Sequence, residues 1–325
     1  MLDIQFIKVH GSGNDFILID EMEHGYTFTE KERQQLSLLL CDRKDGIGSD
    51  GILFVLESEK AEGRMRMFNS DGTEAEMCGN GLRCVARHMI EKTGTQEIAI
   101  ETEKAILDVS QVEEIYPNID TFSVAIEPVS FDVESLPMVF EQKEAIDVKI
   151  PSLSEERTFT ALSVPNPHIV SIMDRVDQAE LLATGQKANN LPEVFSNGVN
   201  VSFIQVLEKN KIFVQTYERG VGLTNACGTA MSASSLVSTL LGPNDLDTPI
   251  VVINKGGLVN CVVHKNDGSY KIELRGNGTN VYEATVEADV DHQTVQIRDQ
   301  RFFDEENEKY EELKQYAASQ VGEGK

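Results

Sequence analysis

Apolar and polar positions alternate along this 325-residue chain at two periods, helical and strand-like, and the order of those segments repeats in the second half. Residues 6–20 (FIKVHGSGNDFILID) form an apolar run through a turn and correspond to residues 160–174 (TALSVPNPHIVSIMD), with Asn14 opposite His168. A helix follows in each half. Thr29 with Glu32 and Asp177 with Glu180 have capping-box spacing, ahead of helices over 29–41 and 177–187. Strands then follow glycine-containing turns at 46–55 (GIGSDGILFV) and 197–206 (NGVNVSFIQV), placing Ser49 opposite Asn200.

The clearest repeat comes next. Residues 65–89 (MRMFNSDGTEAEMCGNGLRCVARHM) align without gaps on residues 214–238 (VQTYERGVGLTNACGTAMSASSLVS), matching Asn69 to Glu218 and Cys78 to Cys227. Each copy reads as a strand, a polar glycine-rich loop and a helix opening at Cys-Gly. The helix over 228–241 is small or apolar almost all round, so a curled sheet should enclose it. The helix over 82–92 has an apolar stripe, with Arg83, Arg87 and Glu91 expected to face elsewhere. Strands resume at 97–102, 105–110 and 122–127, and at 250–254, 258–264 and 270–274. The expected fold is α+β, with two pseudo-symmetric halves, each a curled, mostly antiparallel sheet around a central helix. The expected halves are residues 1–145, to which 279–325 return, and 146–278, with a cleft between them as the site. The acidic stretch from Asp304 reads as a solvated helix or a frayed tail.

Composition narrows the partners. Asp and Glu number 54 against 29 Lys and Arg, a net charge of −25, so nucleic acid and anionic membranes are repelled. The five cysteines are an odd, scattered set, which suits thiols in a reducing cytoplasm. The start, MLDIQFIKVHGSG, lacks a basic leader and apolar core, and no stretch is long and apolar enough to span a membrane. Gly46 to Gly51 spells G-x-G-x-x-G, but charged residues precede it and a strand follows, the reverse of a dinucleotide site. Walker, H-E-x-x-H and C-x-x-C patterns are absent.

Cys41, Cys84 and Cys261 sit in apolar patterns and read as core thiols. Cys78 and Cys227 differ, because each opens a helix, where unpaired N–H groups bind a carboxylate and lower a thiol pKa. Two matched thiols on opposite sides of one carbon can invert it, one removing a proton and the other supplying one. The helix starts would stabilise the carbanion without metal or pyridoxal phosphate.

Together the blocks HGSGNDF, DRKDGIGSDG, MRMFNSDGTEAEMCGNGLRC, VPNPHIV, GVNVSF and ERGVGLTNACGTA resemble the diaminopimelate epimerase family over about residues 4–283. The resemblance implies a cofactor-independent isomerase converting LL-diaminopimelate to the meso form, in lysine and peptidoglycan precursor synthesis. It implies Cys78 and Cys227 as the acid/base pair, with Gly79, Asn80, Gly228 and Thr229 holding the reacting carboxylate. Asn14 and Glu218 would contact the reacting centre, Glu218 taking the α-ammonium, and His168 would adjust protonation and orientation. Asn69, Asn166, Asn200 and Arg219 would grip the distal amino-acid end. Gly51, Leu223 and Ala230 depart from residues common in the family and bear on substrate preference. A histidine- or proline-type racemase, a thiol redox protein and an amino-acid-binding protein are the competing readings. The implied partner is a small amino acid, and a homodimer is the assembly to test.

Overall fold

The computed structural model describes residues 2–75 and 77–321; Glu76 of the first Cys-Gly block and residues 322–325 of the acidic tail lie outside them. The chain divides into two compact units, residues 1–124 with 275–312, and residues 125–274 with 313–325.

The first unit opens with β1 (Leu2–Gly11), β2 (Asn14–Asp20), α1 (Glu21–His24), α2 (Glu30–Leu40), β3 (Gly51–Leu56), β4 (Gly63–Asn69) and β5 (Glu74–Ala75). It continues with α3 (Gly79–Thr93), β6 (Glu97–Glu101), β7 (Ile106–Val112) and β8 (Thr121–Ile126). Both halves of the Thr29–Glu32 capping box are formed at the start of α2. Strands β1 and β2 pair antiparallel, β2 and β3 parallel, β3 with β4 and β4 with β5 antiparallel, β4 and β6 parallel, and β6 and β7 antiparallel. Each parallel pair needs a crossover, supplied first by α2 and then by α3.

The second unit contains β9 (Val148–Ile150), β10 (Ser154–Ser163), β11 (Pro167–Met173), α4 (Gln178–Asn189), β12 (Asn200–Glu208), β13 (Lys211–Glu218) and β14 (Gly222–Thr224). Helix α5 (Gly228–Leu240), β15 (Ile250–Asn254), β16 (Gly257–Asn266) and β17 (Ser269–Asn277) follow, the last reaching across the boundary at residue 274. The pairing sequence is the same: β10–β11 antiparallel, β11–β12 parallel, β12–β13 and β13–β14 antiparallel, β13–β15 parallel, β15–β16 antiparallel. The duplication read from the sequence is therefore a duplication of strand topology. The Asp177 capping box is half formed: Asp177 accepts from Ala179 and Glu180, while the Glu180 carboxylate turns to Arg157 at 2.8 Å.

Helix α5 packs against β10, β11, β12, β13, β15 and β16, and it is buried from Gly228 through Ser238. Its serines are compatible with that enclosure because Ser232, Ser235 and Ser238 return their hydroxyls to carbonyls one turn back. Residues 133–153 place Val133, Leu136, Met138, Ala145, Ile150 and Leu153 in this unit's core.

Two strands absent from the sequence reading complete the first unit: β18 (Thr279–Asp289) pairs antiparallel with β1, and β19 (Thr294–Phe302) with β18. The final helix, α6 (Asp304–Val321), is not a frayed tail. Tyr310, Leu313 and Ala317 are buried along one stripe, a three- and four-residue spacing hidden by the surrounding acidic residues. Arg83 and Arg87 lie off the apolar stripe of α3, as expected, yet both are buried. Arg87 forks onto Glu306 of α6 at 2.6 and 2.8 Å and donates to the Gly278 carbonyl.

Candidate active site

In both units the second crossover leaves the sheet through a short hairpin and re-enters it as the enclosed helix. Cysteine stands at that junction each time. Cys78 is the N-cap of α3, in extended backbone, and its Sγ accepts from the Gly81 N–H at 3.4 Å. A Cβ at Gly81 would lie 2.7 Å from Leu53 Cδ2, so Leu53 would have to shift to admit one. Cys227 is the N-cap of α5, in the same extended conformation. The N–H groups of each first helical turn lack an intrahelical acceptor and carry the positive end of the helix dipole.

Around Cys78 the first unit gathers Asn14, Gly79 and Asn80. Asn80 donates to Asn14 Oδ1 at 3.2 Å, and Asn14 Nδ2 donates to Asp50. Asn69 lies opposite Gly51 in the β3–β4 register, and its amide donates to Thr73 Oγ1 at 3.0 Å. A charged network missed by the sequence reading supports this corner. Arg43 bonds Asp15 at 2.8 Å and Asp50 at 2.7 Å, while Lys8 bonds Asp15 at 2.6 Å. Burial alone would raise the Asp15 pKa, but the bonds from Arg43 and Lys8 hold it at about 2. The alternation of Arg43, Asp50 and their glycines within DRKDGIGSDG was the available signal. Gly51 has no room for a side chain: a Cβ would lie 2.5 Å from the Phe68 carbonyl and 2.9 Å from Met67 Cε.

The second unit gathers the rest. His168 pairs with Asn200 in the β11–β12 register, and its Nε2 lies 2.9 Å from Asn166 Oδ1 and 3.1 Å from Thr229 Oγ1. Thr229 Oγ1 is in turn 3.5 Å from Cys227 Sγ. Asn200 accepts from the Arg219 N–H at 2.9 Å and donates to the Pro167 carbonyl at 3.0 Å. Arg219 Nη1 donates to the Asn197 carbonyl, and its side chain lines an open groove of about 520 Å³ with Tyr217, Gly198 and Val221.

The electrostatics amend one expectation. The Cys227 thiol, 9 % exposed, is pushed well above its ordinary pKa, first by burial and then by the Glu218 carboxylate beside it. Bonds with Thr229 and the Ala230 backbone oppose the rise without cancelling it. Desolvation outweighs the helix start here. His168 is also fully enclosed; burial and then the Arg219 charge push it down to about 3, so the imidazole is neutral in ordinary buffers. Its Nδ1 is buried with no hydrogen-bond partner among the described residues. Cys41, Cys84 and Cys261 are buried, and burial raises Cys41 to about 11 and Cys84 to about 12.

Comparison with known proteins decides the family. The profile described as diaminopimelate epimerase matches residues 6–118 and 160–288. The chain belongs to the diaminopimelate epimerase family. It is 43% identical over 320 residues to a diaminopimelate epimerase of Clostridium acetobutylicum, covering 97% of this chain and 95% of the relative. The Listeria welshimeri diaminopimelate epimerase is 45% identical over 298 residues, 89% of this chain and 90% of the relative. Among solved structures, a Bacillus anthracis phenazine biosynthesis protein superposes with TM-score 0.66 at 17% identity, over 89% of this chain and all 100% of the other. A probable proline racemase from Agrobacterium radiobacter gives TM-score 0.57 at 16% identity, over 88% and 93%. At these identities the two structures establish the shared fold. Among the described residues, no helix is long and apolar enough to cross a membrane.

Proposed function

We propose that the chain is a cofactor-independent diaminopimelate epimerase, inverting one α-carbon of LL-2,6-diaminopimelate to give the meso isomer. The observation that carries this is the matched pair of helix-capping cysteines, one at the second crossover of each half, in a chain of this family. One thiol takes the Cα proton from one face, and the other returns a proton to the opposite face. The two must begin in opposite protonation states. Without substrate the raised Cys227 is the protonated partner. An α-ammonium at Glu218 would cancel the charge that helps raise that thiol, so binding itself would bring Cys227 closer to ionising.

The carboxylate of the reacting centre is held by the first-turn N–H groups at Gly79 and Asn80 and at Gly228 and Thr229, which strengthen as negative charge spreads into it. That supplies the carbanion stabilisation for which other enzymes use pyridoxal phosphate or a metal. Asn14 contacts the reacting centre, and His168, neutral and buried, orients it through Thr229. Asn69, Asn166, Asn200 and Arg219 take the distal zwitterion. The setting is the cytoplasm, in line with cysteines that form no disulfide among the described residues.

Turnover of LL-diaminopimelate in deuterated water tests this. New meso product should carry solvent deuterium at the inverted centre, while unreacted substrate initially stays protiated. Early deuterium in both pools would show one base serving both faces. Turnover of proline or histidine with diaminopimelate untouched would overturn the substrate assignment.

A further inference from the structure

The turn between β1 and β2 has two residues, with Gly11 paired to Asn14 across it. Ser12 and Gly13 both have positive φ, 55° and 78°, the conformation of a primed hairpin turn. Serine is an uncommon occupant of that region and needs outside support. Ser12 is buried and held at both ends: its N–H donates to Asn277 Oδ1 at 3.0 Å, and its Oγ accepts from Arg83 Nη2 at 2.9 Å. Arg83, 0 % exposed, also donates from Nε to the Asn277 carbonyl at 3.0 Å. Gly11 permits this close approach, since a Cβ there would lie 2.7 Å from the Asn80 carbonyl and 3.0 Å from Arg83 Nη2. The Asn80–Asn14 bond at 3.2 Å completes the contact between the hairpin and the first turns of α3.

The gapless repeat sets Arg83 against Ser232, whose hydroxyl donates to the Gly228 carbonyl of its own helix at 3.0 Å. A central helix therefore seats in its sheet without an arginine at this position. Burying a guanidinium is costly, and the first half does so where the hairpin delivers Asn14. We propose that Arg83 is a positioning residue: it locks the Ser12 turn onto α3, fixing Asn14 relative to Cys78 for proton transfer. It acts through those two residues and touches no substrate. The proposal rests on the epimerase reading for what Asn14 and Cys78 do, but not for the clamp.

The full-length Ser12→Gly variant tests it, with Arg83→Lys alongside. Glycine adopts the turn freely, which offsets the lost hydroxyl bond, so Ser12→Gly should melt within a few degrees of the wild type. Its kcat on LL-diaminopimelate should fall roughly tenfold to a hundredfold with KM within about twofold, because geometry rather than binding is lost. Iodoacetamide alkylation of Cys78 against pH, followed by peptide mass, should change severalfold in both variants. An unchanged kcat in Ser12→Gly, a rise in KM alone, or a loss that tracks unfolded protein would overturn the proposal. If the wild type failed to epimerise diaminopimelate, the function would fall and alkylation would still decide: an unchanged Cys78 profile in both variants removes the clamp.

Discussion

Glu218 and Cys227 stand side by side at the start of α5, the carboxylate helping to keep the buried thiol protonated. Replacing Glu218 with Gln removes that charge, so the ultraviolet absorbance of the Cys227 thiolate should appear at lower pH than in the wild type. The same change removes the proposed ammonium partner. kcat/KM for diaminopimelate should fall roughly 30-fold or more. A thiolate titration unmoved by Glu218→Gln would sever the pair.

His168 predicts an acid dependence. Its folded pKa is about 3 against an unfolded value near 6.5, so the unfolded chain binds the extra proton between those limits. Stability from this group is complete above pH 6.5 and is lost as pH falls toward 3. By pH 5 the loss should reach about 2 kcal/mol. Urea titrations at pH 7 and pH 5 should show that part of the decline missing in His168→Gln.

Arg219 reports on the far end of the substrate. Arg219→Ala should cost diaminopimelate roughly 30-fold or more in kcat/KM, on the scale of losing one partner of a guanidinium–carboxylate pair. Turnover of a monocarboxylic amino acid, wherever measurable, should change little. Equal losses on both substrates would place Arg219 outside the distal grip.

Ion pairs of similar length should differ in worth. The Arg87–Glu306 fork joins a buried guanidinium to α6, and Arg87 keeps Glu91 at 2.7 Å when the fork is cut, so Glu306→Ala should destabilise by about 1.5–3 kcal/mol. Glu180→Ala, which frees the partly exposed Arg157, should cost under about 1 kcal/mol. Denaturant melts of the two variants give the comparison.

Gly51 is held to glycine by space. Gly51→Asn should destabilise by about 1–3 kcal/mol, because the Phe68 carbonyl and Met67 occupy the position a Cβ would take. A variant as stable as the wild type would show that β3 and β4 separate easily.

The repeat was legible because apolar period and glycine placement are local signals: the Cys-Gly junctions, the enclosed α5 and the order of strands all follow from neighbours in sequence. The burial of Arg83 and Arg87 was not legible because their cover comes from Asn277, Gly278 and Glu306, nearly two hundred or more residues away. Strand β19 was missed because it is mostly exposed and carries no sustained apolar alternation, whereas β18 does alternate. The thiol of Cys227 was read from its helix start alone, and burial beside Glu218 is a tertiary fact.

Strand β1 is laid down first and receives its second neighbour almost last, with Leu2 opposite Ala288 and Lys8 opposite Tyr282. On a ribosome adding roughly 5–20 residues per second, its open edge waits roughly 15 to 55 seconds for β18 to emerge. Throughout that interval the nascent first unit presents a bare row of backbone donors and acceptors to its neighbours on the same message. The penalty for interrupted translation would then fall on the first unit, although the strand it lacks is encoded far downstream.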